Sequence, residues 1–358
     1  MRIATPFSER LGLRLPVIQA PMAGGPSSLE LVIAASSAGA LGSFGFAYTQ
    51  PDEMKRQAAA LRAKTDLPFG INLFVSPQPP AIAASEQRAA LDAVARFYRE
   101  MDLPAPEPAK APYAPDLEAQ LVAVEELRPR VFTVHLDSIP AKRFQALGIV
   151  VGGSATSVAE AKRLEALGYD FVIAQGGEAG GHRGSYLRDP YESLTGTLAL
   201  TRLIVRAVRL PVVAAGGIMD GAGIAAALSL GAQAAQLGTA FIPCPESGAA
   251  QVHKELLLKA TEDDTRITEK FSGKPARGLA NRFMKEMRDA PQLAFPAQNV
   301  LTGKLRTAAA KAGKSDFIAL WAGQAAPLAR RLPAAELLSV LEQEIIAALR
   351  ASAALIKE

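Results

Sequence analysis

Eight short apolar or β-branched runs alternate with Ala-rich helical stretches, predicting an α/β fold that closes into a (β/α)8 TIM barrel with an additional helical cap and tail. Most of these runs carry apolar residues on both faces, as strands do when buried between outer helices and a filled barrel interior. An open doubly wound sheet shows the same alternation, because the order of strands cannot be read from one sequence.

The predicted strands are 16–22 (PVIQAPM), 41–46 (LGSFGF), 69–74 (FGINLF) and 131–137 (VFTVHLD), followed by 149–154 (IVVGGS), 171–176 (FVIAQG), 212–217 (VVAAGG) and 234–241 (AAQLGTAF). Helices follow at 28–37, 157–167 and 222–230, the last stopping at Gly231, a suitable C-terminal cap. Two regions exceed a minimal barrel. After the third strand come a helix near 85–101 and a proline-rich bridge, 104–115, whose prolines at 104, 106, 108, 112 and 115 enforce an extended path. That bridge either crosses the barrel mouth, bringing Tyr113 to the site, or is a surface linker. After Ser247 come a charged stretch (261–274), helical segments at 281–287 and 301–312, and an amphipathic helix over 333–355. The expected organisation is a cofactor-binding barrel over 1–249, a helical cap over 250–330, and a helix over 331–358 that returns to the barrel.

Composition excludes several functions. At 358 residues and 49% hydrophobic, the chain has ample material for a large core, so global disorder is excluded. Its 39 basic and 35 acidic residues leave only +4, the basic residues are scattered, and aromatics are 6%, which does not fit a nucleic-acid surface. A single cysteine, Cys244, excludes an internal disulfide framework and a cysteine zinc cluster, and three histidines leave little for a metal site. No apolar signal core follows Met1, and the uncharged stretch 221–245 divides into a helix and a strand with Gln233 and Gln236 inside it, so no membrane span is expected. These features describe a soluble, cytoplasmic enzyme.

Chemistry in such barrels sits where strands end. The last two strands end in Ala214-Ala215-Gly216-Gly217 and Gln236-Leu237-Gly238-Thr239. Glycines let backbone amides approach a phosphate, and the helix that follows aims its positive end at it. The sixth strand ends in QGGEAGGHRG, residues 175–184, where Gly180 and Gly181 cradle His182. A neutral imidazole there can hold or take a proton near pH 7. Glu178 either orients it or is a solvated charge. Asn72 and Gln175, carboxamides on different strands, can donate and accept at once, matching the imide edge of a heterocycle. A phosphate site plus such a pair suggests a flat, phosphorylated cofactor, and FMN fits both halves. His135 points inward or packs in the wall; His253 reads as a surface residue; Cys244 has nothing nearby to activate it.

Together these residues resemble the nitronate monooxygenase family. The matching pieces are Gln19-Ala20-Pro21-Met22-Ala23-Gly24-Gly25, Asn72 in INLF, QGGEAGGHRG, AAGGIMDG, LGTAFIPCPES and Leu320-Trp321-Ala322-Gly323-Gln324. The resemblance implies an FMN enzyme that oxidises alkyl nitronates with O2 to a carbonyl compound and nitrite, without a metal. It implies His182 as the catalytic residue. Asn72, Gln175, Gly180, Gly181, Gly216, Gly217, Gln236, Leu237, Gly238 and Thr239 would bind the cofactor, with Ala20, Pro21 and Met22 beneath the ring. The family often carries a tyrosine and a lysine near 295–301, where this chain has Phe295 and its nearest lysine is Lys304. The implied partners are a small nitronate and O2, with a homodimer left open. The nearest alternative is an NAD(P)H-driven FMN reductase of the same fold, an enoyl-ACP or quinone reductase. An IMP-dehydrogenase-like barrel requires a cysteine before the GGI loop, and Cys244 follows it. A non-catalytic phosphate-ligand sensor would be colourless.

Overall fold

A computed structural model describes residues 3–76 and 81–357. All eight predicted strands form: β1 (Val17–Gln19), β2 (Gly42–Gly45), β3 (Phe69–Phe74), β4 (Val131–His135), β5 (Val150–Ala155), β6 (Phe171–Gln175), and, after a two-residue β7 (Gly181–His182), β8 (Val212–Ala215) and β9 (Ala234–Leu237). The eight are parallel and run in the order β1-β9-β8-β6-β5-β4-β3-β2. The ring closes where Ile18 bridges Leu41, with Gln19 N donating to Leu41 O at 2.9 Å. The fold is therefore a (β/α)8 barrel.

The N-terminal face is plugged by α1 (Pro6–Leu11), fixed by a Thr5–Ser8 capping box. Phe7 is 1% exposed and its ring stands 4.9 Å from that of Phe171, the first residue of β6. Burying such a ring contributes about 1.5–3 kcal/mol. With one end filled, any ligand must enter at the other.

The outer helices are α2 (Leu29–Ser37), α3 (Pro51–Arg62), α5 (Leu117–Leu127), α6 (Lys142–Gln145), α7 (Val158–Ala166), α8 (Thr197–Ala207) and α9 (Gly221–Ser229), while α4 (Ala84–Glu100) packs on the tail through Phe97 against Phe283 and Phe317. Ser28, Ser157 and Asp220 cap α2, α7 and α9 through their side chains. The chain turns at Gly231 with φ +99° immediately after α9, where an L side chain would be strained. The proline-rich bridge is a surface path: Gln87 Nε2 holds it by donating to Ala109 O at 2.7 Å. Tyr113 packs on the apolar cluster that holds Phe97 and Phe283.

The tail holds α10 (Gln251–Leu257), strands β10 (Thr265–Thr268) and β11 (Ala276–Leu279), α11 (Arg282–Glu286), α12 (Ala297–Leu301), α13 (Gly303–Lys311) and α14 (Ala334–Ala353). The 250–330 region, expected as a helical cap, also carries two strands. The stretch TRIT, within the segment read as merely charged, forms β10, and β11 joins it antiparallel to β7 in the order β10-β11-β7. Arg277 thereby stands opposite Gly181, and Ala276 opposite His182, so the tail is stitched to the loop of interest. Helix α14 packs on α9 and α2. Its Glu344 accepts from Gly221 N at 2.8 Å and pairs with Arg330 at 2.6 Å. Among the described residues, no helix is long and apolar enough to cross a membrane.

Candidate active site

A cavity of about 770 Å³ opens at the C-terminal ends of the strands, roofed by residues of α10, α12 and α13. Its wall includes Ala20, Pro21, Met22, Asn72, Gln175, Gly180, Gly181 and His182, together with Gly216, Gly217, Gln236, Gly238 and Thr239. Of the residues singled out for the cofactor and for catalysis, Leu237 alone is elsewhere. Strand side chains alternate faces, so Gln236 faces inward while Leu237 packs outward in the core, 1% exposed; its carbonyl accepts from Ala20 N at 2.8 Å.

The glycine loops make room in two ways. Gly217 adopts φ +67°, a conformation costly for other residues, with Glu178 Cβ 3.2 Å from where a Cβ would stand. A Cβ at Gly238 would meet Ala20 Cβ at 3.5 Å and Met22 Sδ at 3.8 Å, filling the floor of the cavity. At the N-terminus of α9, Asp220 accepts from Gly223 N and Glu344 from Gly221 N, both at 2.8 Å, so two of its free amides already have carboxylate partners. Glu178 is likewise neither a partner of His182 nor a free charge: its carboxylate accepts from Thr197 N at 2.8 and 2.9 Å and from Thr197 Oγ1 at 2.8 Å, capping α8.

The carboxamides differ. Asn72 Nδ2 donates to Thr133 Oγ1 at 2.9 Å and Thr133 O at 3.2 Å, which uses both its hydrogens and turns the side-chain oxygen away from that wall. Gln175 is engaged within the loop: Nε2 donates to His182 O at 3.0 Å and Oε1 accepts from Gly184 N at 2.8 Å, which fixes the histidine loop while the side chain remains in the cavity wall. The loop's carbonyls are tied from behind by two arginines. Arg183, fully buried, donates to Gly176 O at 2.6 Å, Gln175 O at 3.2 Å and Ser193 O at 2.8 Å; Arg277 donates twice to Gly177 O, at 3.1 and 3.2 Å. Burial pushes the Arg183 guanidinium down to about 10, still cationic.

All three histidines line the cavity. His182 Nε2 lies 2.9 Å from Ser272 Oγ, and that hydroxyl donates to Lys274 O at 3.1 Å. The serine thus accepts from Nε2–H, leaving Nδ1 as the bare ring nitrogen. His135 Nε2 lies 3.0 Å from the His182 carbonyl, which only accepts, so its Nδ1 takes the Ser154 hydroxyl at 2.8 Å. His135 therefore faces the site. Burial, reinforced by His135, Lys274 and Arg306, holds His182 down to about 3, and burial holds His135 down to about 4. Both are neutral imidazoles. His253 corrects the surface reading: it is 5% exposed, bonds the Trp321 backbone, and keeps Nε2 buried and without a partner among the described residues. Rings surround His182: Phe74 at 5.5 Å, Phe295 at 5.7 Å and Trp321 at 5.7 Å.

Lys304 is exposed at the far side of α13, 3.5 Å from Glu107. Arg306 and Tyr48 occupy the cavity wall instead. Neither stood out in the sequence. Tyr48 follows β2, where the strand-end rule applies, whereas Arg306 sits in an ordinary helical run, GKLRTAAAK, that carries no signal. Cys244 is fully buried, with its thiol pushed up to about 12 by burial.

Among known proteins, the nitronate monooxygenase family profile matches residues 7–344. A nitronate monooxygenase of Pseudomonas aeruginosa is 43% identical over 347 residues, covering 95% of this chain and 98% of the relative. A crystal structure of nitroalkane oxidase from Streptomyces ansochromogenes superposes with TM-score 0.88 at 38% identity, over 95% of this chain and 98% of that one. FabK from Thermotoga maritima is also similar, at TM-score 0.77 and 28% identity over 99% of this chain and 100% of that one. With its barrel, its glycine-lined cavity and matches of this extent, the chain belongs to the nitronate monooxygenase family.

Proposed function

We propose that this monooxygenase oxidises alkyl nitronates, propionate 3-nitronate among them, with O2 on FMN, releasing a carbonyl compound and nitrite. The observation that carries the reading is the neutral, ring-walled His182 beside a glycine-floored cavity. That cavity fits the cofactor. Gly238 lines it beside Ala20 and Met22 without a side chain of its own, the volume suits a ligand of this size, and the Asn72 side-chain oxygen is without a partner among the described residues. Gly216, Gly217, Gly238 and Thr239 would hold the phosphate, with Ala20, Pro21 and Met22 under the ring. When bound, the flavin supplies the electron acceptor for the nitronate and the reductant for O2.

The protein's share is binding, orientation and exclusion of water. A nitronate is already a carbanion equivalent, so no strong base is required. His182 suits this: held down to about 3 by burial, its imidazole is a weak base but keeps Nδ1 as an acceptor fixed by the Ser272 contact. Phe74, Phe295 and Trp321 keep the reacting carbon dry.

The test is a visible spectrum followed by oxygen uptake with propionate 3-nitronate. A yellow protein that consumes oxygen with the nitronate is expected. Anaerobic bleaching by NADH but not by a nitronate would overturn the reading in favour of a reductase. His182→Asn is expected to retain flavin and to lose turnover on a neutral nitroalkane, whose α-proton needs an acceptor, by roughly 100-fold, the scale of one positioned proton-handling group.

A further inference from the structure

One wall of the cavity carries hydrogen-bonding capacity that the protein itself leaves unused. Tyr48 meets Phe74 edge-on, with ring centroids 5.8 Å apart at 76°, and Phe74 meets His182 edge-on at 5.5 Å. The Tyr48 hydroxyl is buried without a partner among the described residues. Burial pushes it up to about 12, so it remains a donor. Arg306, on α13, lines the same cavity. Its Nε donates to Thr302 Oγ1 at 3.1 Å, and one terminal nitrogen donates to Asn299 O at 2.8 Å and Asn299 Oδ1 at 2.7 Å. These are all neutral oxygens. Among the described residues no carboxylate lies within ion-pair distance of Arg306, and its charge reaches both Tyr48 and His182.

A buried hydroxyl without an acceptor costs about 1–3 kcal/mol, and a sequestered cation without a counter-ion costs more. Both occur at one wall, and one bound oxyanion relieves both. We infer that Arg306 and Tyr48 form the oxyanion-holding pole of the cavity, selecting anionic substrates over neutral nitroalkanes. The inference rests on the nitronate reading above and deepens it. Among the described residues the second terminal nitrogen of Arg306 keeps its hydrogens for a nitronate oxygen, and the tyrosine adds a neutral donor. His182, being neutral, contributes no charge to this selection.

The holoenzyme and its Arg306→Met, Arg306→Lys and Tyr48→Phe variants test this with ethyl nitronate, with nitroethane, and with nitrate as an inert planar oxyanion. Nitrate binding is followed through Trp321, the chain's one tryptophan, which stands in the same cavity wall. Arg306→Met is expected to raise the nitronate KM and the nitrate Kd by roughly 10- to 100-fold, leaving kcat within a few-fold and nitroethane nearly unaffected. Arg306→Lys should recover most of the loss, and Tyr48→Phe should cost roughly tenfold. Equal losses for nitronate and nitroethane, or nitrate binding unchanged in Arg306→Met, would overturn the inference; if Arg306→Met does not fold, the Lys and Phe variants decide it by the same criteria. A wild-type protein inactive on nitronates that still binds nitrate through Arg306 would instead sink the proposed activity and leave the oxyanion pole standing.

Discussion

His135 and His253 line one cavity from opposite kinds of structure. His135 ends a barrel strand, and both its nitrogens are committed, one to Ser154 and one to the His182 carbonyl. His253 sits on the tail helix α10 with Nε2 unpartnered. The same division runs through the site. On the barrel side, Gln175 and Arg183 hold the histidine loop and Asn72 is tied to Thr133, while the His182 ring is fixed by Ser272 of the tail. Among the described residues, capacity to spare is left at Arg306 and His253 on the tail and at Tyr48 on a barrel loop. The barrel supplies most of the fixed contacts, and the tail supplies most of the groups free to meet a ligand.

Arg183→Met attacks the rigid side most directly. It removes the donor from three buried carbonyls, those of Gln175, Gly176 and Ser193, and is expected to cost about 3–5 kcal/mol in denaturant unfolding. A cost under about 1 kcal/mol would show that the glycine loop holds its shape unaided.

Acid comes next. His182 is held down to about 3, and His135 and His253 down to about 4, against about 6.5 when unfolded. Below pH 6.5 the unfolded chain binds more protons than the folded one. Stability is therefore full above that pH and falls as pH drops toward 4, by on the order of 1 kcal/mol per pH unit for each histidine. Melting temperatures measured from pH 7.5 to 5 read this out, and a flat profile would mean that these imidazoles are solvated.

The smallest effect is expected on the tail side. His253→Phe removes an unpartnered nitrogen and one bond to the Trp321 backbone while keeping a ring, so stability should fall by about 1–2 kcal/mol in denaturant unfolding. A loss several times larger would erase the distinction between the two walls.

The barrel strands were legible because each is an apolar run bounded by turn residues, a local signal. Strands β7, β10 and β11 were not: β7 has two residues, TRIT and ARGL are each broken by an arginine, and β11 meets β7 through Ala276 and His182, far apart in the chain. The glycine loops and His182 were legible from the strand-end rule. Their partners were not, because Glu344 reaches Gly221 across 123 positions and Ser272 reaches His182 across 90. Leu237 was grouped with its motif neighbours although strand alternation turns it outward. His253, next to Lys254 and Glu255, had the local composition of a solvent-facing turn, and packing against the Trp321 backbone decided otherwise.

Cys244 has a practical corollary. A thiol sealed in the core and held near 12 yields almost no thiolate at neutral pH, so maleimides and peroxide pass it by. The native chain thus offers a silent background for sulfhydryl labelling. A cysteine placed at exposed Leu198 or Tyr191 would be the one position to take up a dye or spin probe.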